Sequence, residues 1–246
     1  MPVKTAAFLF TFLLIAIAFV PGQEGARKAS TNDRFDMLVR ENFFAGIAGD
    51  EAAFDRAMKL CEKRLSANAR DPEAMVWHGA GVYYRAGLAF QAGDRQTGLR
   101  LRAEGMQQMD DAVTLSPTIL TLIPRGALLL SAGRRIQDPA IRERILTKGV
   151  DDFERVLTLD KANFPQKCEH AKGELLGGIA EGWYQLGKQE QAGVYLKQIM
   201  TELPGTAYAK AADTILKNKP PVEKASVTCL GCHETNSASL LQPATN

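Results

Sequence analysis

Two cysteines and a histidine near the C-terminus have the residue types and the spacing to carry chemistry. Cys229 and Cys232 are three residues apart, and His233 directly follows the second cysteine. Two thiols at this spacing can form a local redox disulfide or half of a zinc site, although no second Cys-x-x-Cys or His-x-His lies nearby. Chance placement of four cysteines and three histidines produces the pattern in about one chain per thousand of this composition.

The sequence Cys-Leu-Gly-Cys-His at residues 229–233 resembles the haem-attachment motif of c-type cytochromes. In that family the two thiols bind one porphyrin covalently and the adjacent histidine is an axial ligand of the iron. The resemblance therefore implies a haem c attached to Cys229 and Cys232, with His233 on the iron. It covers only these positions, because the 27 residues that follow Lys219 are too few for the helices that enclose the haem of a small cytochrome c.

The sequence does not fix the second axial ligand of such an iron. The other histidines are His78, beside Trp77 on a predicted helix, and His170, beside Cys168 at a predicted helix start. For each of these two histidines, the alternative to binding iron is an ordinary surface or structural role. Methionines at helical spacing are more typical of core packing. A five-coordinate iron and a ligand from a second chain are further alternatives.

The remaining candidate groups are interpreted as structural. Cys61 lies on an apolar stripe and is predicted to be buried, and a disulfide between it and Cys168 is an alternative that no pattern supports. The carboxylate pairs Asp110-Asp111 and Asp151-Asp152, and the basic Arg134-Arg135, are predicted to lie on solvated helix faces. Because no Ser-His-Asp order, His-Glu-x-x-His or P-loop occurs, the sequence favours a protein that is not an enzyme.

The first 22 residues predict an export signal. Lys4 precedes residues 6–20, which are uncharged and mostly apolar, and Pro21-Gly22 follow. This stretch is shorter than the roughly 20 apolar residues of a membrane span. Cleavage after Gly22 would leave no stable span and would deliver the protein to the bacterial periplasm or the medium, where this kind of motif receives its haem. An uncleaved anchor is the alternative.

Residues 32–218 show helical spacing almost throughout. Apolar side chains recur three and four residues apart, as in Leu146, Val150, Phe153 and Leu157. Breakers such as Asp71-Pro72 and Gly93-Asp94 separate these stretches. The pattern predicts an all-α protein of eight or nine helices in antiparallel pairs.

The last helix pair resembles a tetratricopeptide repeat. Its large, small, aromatic and turn positions are filled by Leu176, Ala180, Trp183, Gly187, Ala192, Leu196, Ile199 and Pro204. The pair that Asp71-Pro72 opens repeats the first half of this pattern, although the breakers recur at more than the 34 residues of the family. The resemblance implies a helical-hairpin repeat array over residues 32–218, followed by an irregular tail over residues 219–246. In that family the face that would include His78 lines a concave, protein-binding groove.

Composition excludes several function classes. Apolar residues make up 46% and charged residues 24%, which excludes a disordered chain, a collagen and a polytopic membrane protein. The net charge of +2 argues against nucleic-acid binding. The sequence thus predicts an exported, non-enzymatic helical-repeat protein with one haem c. It would transfer electrons to a partner redox protein, assemble with another protein in its groove, or both.

Several alternatives stay open. The tail is long enough to dock on its own helical array or on a second copy of the chain, which would give a homo-oligomer. A periplasmic scaffold or transport accessory protein with no redox role is the main alternative function. A haem peroxidase or gas sensor, which needs an open iron site, is a third.

Overall fold

The computed structural model describes residues 34–221 and 225–228, and in these ranges the chain is all-α. Residues 1–22, where an export signal is predicted, and the motif residues Cys229, Cys232 and His233 lie outside the described residues. One 3₁₀ helix, Phe164–Gln166, precedes α7. The α-helices are α1 Phe35–Ile47, α2 Glu51–Ala67, α3 Pro72–Gln91, α4 Arg95–Leu115, α5 Ile119–Gly133, α6 Pro139–Leu159, α7 Glu169–Gln185, α8 Gln189–Glu202 and α9 Ala207–Asn218.

The predicted breakers set most of the helix boundaries. Asp71 caps α3 by accepting a hydrogen bond from the Ala74 N–H over 3.0 Å, and Pro72 occupies the first helical position. Side chains at Asp50, Asp94 and Asp138 cap α2, α4 and α6 in the same way. Phe164-Pro165 lies between α6 and α7, where it is part of the 3₁₀ helix, and α7 begins after Cys168.

The helices pack in consecutive pairs. Helix α1 packs on α2, α3 on α4, α5 on α6 and α7 on α8. Successive pairs meet where α2 contacts α3 and where α6 contacts α7. The first helices of the pairs also touch in order, α1 on α3, α3 on α5 and α5 on α7. Helix α9 packs on α8.

Helices α3 and α4 cross in close backbone contact at two glycines, Gly79 and Gly105. A Cβ added at Gly79 would lie 2.8 Å from the carbonyl oxygen of Gly105, and one at Gly105 would lie 2.6 Å from the carbonyl oxygen of Gly79. No side chain separates the two helices at this point, so Tyr83 and Met109 pack close beside it and are buried.

Replacing Gly105 by Ala is expected to destabilise the protein. The new methyl group would meet backbone atoms, which cannot swing away as a side chain can, so we expect a loss of about 1–3 kcal/mol of unfolding free energy in urea titrations. Gly87→Ala in α3 is the matched control, because a Cβ there meets nothing within 4 Å. That variant should be more stable by about 0.5–1 kcal/mol through helix propensity alone. Equal stability of the two variants would show that the crossing is not tight.

A buried ion network links α4, α5 and α6. Arg125 on α5 donates through Nε and Nη2 to both carboxylate oxygens of Asp152 on α6, over 2.8 and 2.7 Å. Its Nη1 donates to Asp110 on α4 over 2.7 Å, and Lys148 Nζ donates to the second oxygen of Asp110 over 2.7 Å. Asp111 and Asp151 are exposed as predicted, but the prediction of a solvated face is wrong for Asp152, which is 3% exposed.

None of the helices in the described ranges combines the length and apolar character that crossing a membrane requires.

Candidate functional site

The described part of the tail folds back onto α7. Lys219 ends α9 in the left-handed conformation, at φ 43°. The Tyr184 hydroxyl near the end of α7 then donates to the carbonyl oxygen of Pro220 over 2.6 Å. Residues 225–228, here called the tail strap, pack against the same helix, and Ala225, Val227 and Thr228 are buried. This segment therefore docks on its own chain.

A single carboxylate fastens the tail strap. Glu181 on α7 is 3% exposed, and its Oε1 accepts hydrogen bonds from the backbone N–H groups of Val227 and Thr228, the latter over 2.8 Å. The hydroxyls of Ser226 and Thr228 lie 3.1 and 3.2 Å from the same oxygen. Arg134, at the end of α5, pairs with Oε2. A buried carboxylate needs such partners, so Glu181 and the strap stabilise each other.

A glycine on the same face lets the strap approach the helix. A Cβ at Gly177 would lie 2.9 Å from Cγ2 of Thr228. Tyr184, Glu181 and Gly177 are spaced three and four residues apart and so share one face of α7. Because Tyr184 holds Pro220, Glu181 holds residues 226–228 and Gly177 contacts Thr228, the tail runs along α7 towards its N-terminus.

The cysteine motif follows the tail strap directly in the sequence, because Cys229 is the residue after Thr228. The side chains of Cys229, Cys232 and His233 themselves lie outside the described residues.

His170 lies in the first turn of the same helix and is exposed. Its Nδ1 is 3.1 Å from the hydroxyl of Tyr208 on α9, and that hydroxyl donates to Glu174 Oε1 over 2.9 Å. The Tyr208 hydroxyl therefore bridges His170 and Glu174 and links the first turns of α7 to α9.

His78 occupies a different part of the molecule. It is half-buried on α3, and its Nδ1 lies 2.8 Å from the side-chain oxygen of Gln108 on α4. Helix α5 contacts both α3 and α7. The structure therefore does not bring His78 and His170 together. Of these two histidines, only His170 lies on α7, the helix that the tail strap contacts.

The two cysteines of the described helices are not joined. Cys61 is buried in α2, as predicted, and burial raises the pKa of its thiol to about 12, so it stays protonated. Cys168 is exposed at the start of α7. Within residues 34–221 and 225–228, no cluster of three or more His, Cys, Asp or Glu could hold a metal ion.

The contacts of Glu181 with Arg134 and with the tail strap were not predicted from the sequence. Arg134 was expected on a solvated basic surface, and that prediction is wrong because its guanidinium pairs with the buried Glu181. A signal was nevertheless present, since Glu181 is the only charged residue between Glu174 and Lys188. A charged side chain in so apolar a helix segment requires a specific partner.

Scans of the sequence against protein-family models and against curated proteins, and a search among solved structures, find no match.

Proposed function

We propose that this is an exported helical-repeat protein that carries one covalent haem c on its C-terminal tail and transfers electrons to a partner protein. The observation that carries the proposal is the pairing of the motif with its anchor. A Cys-x-x-Cys-His sequence follows, without a single intervening residue, a strap whose last backbone N–H is bonded to a buried carboxylate. A tail that had no task at this position would not need such an attachment.

The contact of the tail strap with α7 would give the haem a protein surface that the short tail alone cannot provide. A porphyrin has a large apolar face that is unfavourable in water, and the tail alone is too short to enclose it. Ala225 and Val227 join the hydrophobic core that also contains Ala180 and Ile215, so the segment before the motif is already part of the folded body. A haem on Cys229 and Cys232 would therefore have the surface of α7 against one side.

The haem and the residues of the protein would have different roles in the proposed electron transfer. The bound haem would supply the one-electron redox couple. Cys229 and Cys232 would hold it covalently, and His233 would give the iron one axial nitrogen. Glu181 and Arg134 would keep the attachment point fixed relative to the helices. A fixed, surface-lying redox group exchanges electrons with a docked partner without a conformational step.

The arrangement of helix pairs supports a repeat array with a groove for a protein partner. Helices α1, α3, α5 and α7 contact one another in sequence, each paired with the helix that follows it. Leu176, Ala180 and Ala192 fill the packing positions of the tetratricopeptide pattern and are buried. In such an array the stacked helix pairs form an extended concave surface that can bind a protein.

Covalent haem is the property to measure first. The full chain should be produced with its own leader in a bacterial host that matures c-type cytochromes, beside a Cys229→Ala/Cys232→Ala variant. We expect the exported wild-type protein to gain the mass of one haem, to keep its colour through acid-acetone extraction and to show a c-type pyridine haemochrome spectrum. The double variant should be folded and colourless.

A colourless wild-type protein would contradict the proposal. Helical content by circular dichroism and the unfolding midpoint would then show whether the haem-free protein is folded. A well-folded, haem-free protein with an intact Cys229–Cys232 disulfide would point to thiol redox chemistry. The same protein with two free thiols would point to a scaffold without a redox role.

A further inference from the structure

We propose that the tail strap exchanges between two copies of the chain, so that each α7 binds the strap of its partner in a domain-swapped dimer. This dimer does not depend on haem attachment. Three described features support it: a strained residue at the end of α9, strap contacts that a second copy can make equally well, and a buried carboxylate that loses its partners whenever the strap leaves.

The strained residue is Lys219, where the chain leaves α9. Glycines aside, it is the only residue within 34–221 and 225–228 that has a positive φ, at 43°. This conformation is unfavourable for a residue with a side chain, by about tenfold in an equilibrium constant. Because Pro220 follows, extended conformations are the favoured ones for Lys219. Its side chain is exposed, so no packing offsets the strain, and an extended Lys219 would relieve it.

The contacts of the strap do not require that it belong to the same chain. The backbone N–H groups of Val227 and Thr228 donate to Glu181 on α7, and Ala225 and Val227 line one crevice with Ile215 of α9. A second copy presents the same groups to the same strap. Only six residues, 219–224, join α9 to the strap, and short connections under strain favour domain swapping.

A released strap leaves a groove on α7 that needs an occupant. Glu181 is 3% exposed with the strap in place, and without the strap its Oε1 loses the N–H groups of Val227 and Thr228. A buried carboxylate without hydrogen-bond partners is unfavourable. The open chain thus carries both a vacated groove and a matching strap, so two open copies satisfy each other through the same interface.

The connection and the strained residue together set the expected affinity. A segment on a short flexible connection binds its own chain with an effective concentration of about 1 mM. The swapped dimer keeps every strap contact and relaxes two copies of Lys219, each by about tenfold. We therefore expect a dissociation constant of about 10 μM for the dimer.

The mass of the full chain at increasing concentration tests this expectation. Size-exclusion chromatography with light scattering is run with a reductant present, so that the exposed Cys168 forms no disulfide. The wild type should convert from monomer to dimer between about 1 and 100 μM. Lys219→Gly adopts the left-handed conformation without strain and should raise the dissociation constant about a hundredfold. Lys161→Gly is the matched control, since that lysine is exposed in a turn without a positive φ, and it should dimerise as the wild type does.

A mixture of two variants tests whether the strap forms the interface. Glu181→Ala keeps a normal strap but has a defective groove. Val227→Asp keeps a normal groove, but its strap carries a new charge at a buried position beside Glu181. Each variant alone should stay monomeric. An equimolar mixture should form a heterodimer, because the strap of the first binds the groove of the second, and native mass spectrometry distinguishes the heterodimer from either homodimer by mass.

Three outcomes would overturn the proposal. They are a wild-type chain that is monomeric at about 100 μM, a dimer of unchanged affinity in Lys219→Gly or Glu181→Ala, and a variant mixture without heterodimer. Lys219 lies on the surface, so the result for its glycine variant stands even where a groove variant fails to fold. None of these outcomes bears on haem attachment, which the mass and colour of the exported protein test separately.

Discussion

Glu181→Ala is expected to release the tail strap from α7 and to destabilise the folded protein. The substitution removes the acceptor of the Val227 and Thr228 N–H groups and leaves Arg134 without this partner. Hydrogen bonds to a buried charged group contribute more than neutral ones, so we expect a loss of about 2–4 kcal/mol of unfolding free energy. Hydrogen exchange at the amides of residues 226–228 should accelerate towards the rate of an unstructured chain, and proteases should cleave the tail sooner.

Glu190→Ala on α8 is the matched control, because that glutamate is exposed and lies outside the strap contacts. It should change the unfolding free energy by less than about 0.5 kcal/mol and leave tail exchange unaltered. Glu181→Gln gives an intermediate case, since it keeps an oxygen acceptor but loses the charge that pairs with Arg134. Slow tail exchange in Glu181→Ala would show that apolar contacts of Ala225 and Val227 hold the strap without the carboxylate.

The helices were predictable because each has a local cause. Aspartates followed by proline or placed after glycine define starts, and apolar residues at three- and four-residue spacing define buried faces. Leu146, Val150 and Phe153 were placed on one buried face by spacing alone, and all three are buried.

The contacts that position the candidate site were not predictable in the same way. Glu181 pairs with Arg134, 47 residues earlier, and with Val227, 46 residues later. Only the three-dimensional path of the chain brings these groups together. Spacing also could not separate Asp151 from its neighbour Asp152, because adjacent helical residues point about 100° apart and only the packing of α5 decides which of them is buried.

Arg125→Met is expected to give the largest loss of stability among substitutions in the helical body. The guanidinium holds both oxygens of the buried Asp152 carboxylate, and without it that charge has lost its main partner. Removing one member of a buried ion pair costs about 3–5 kcal/mol. Urea unfolding at neutral pH should show this loss, whereas Lys217→Ala, which breaks an exposed pair with Asp213, should cost less than about 0.5 kcal/mol.

The pH dependence of the unfolding free energy of Arg125→Met tests whether the unpaired charge of Asp152 causes the loss of stability. Burial raises the pKa of Asp152 even while Arg125 opposes the shift, so its loss should raise that pKa further. The folded variant then binds a proton more readily than the unfolded chain, and its stability falls as pH rises through the raised pKa. Its deficit relative to wild type should therefore shrink in acid.

Adding Asp152→Val to Arg125→Met should recover most of the lost stability, because Asp110 keeps Lys148 as a partner and no buried charge remains unpaired. The pH-dependent part of the deficit should disappear in this double variant. A double variant no more stable than Arg125→Met would mean that the arginine acts through the packing of its aliphatic stem instead of its charge.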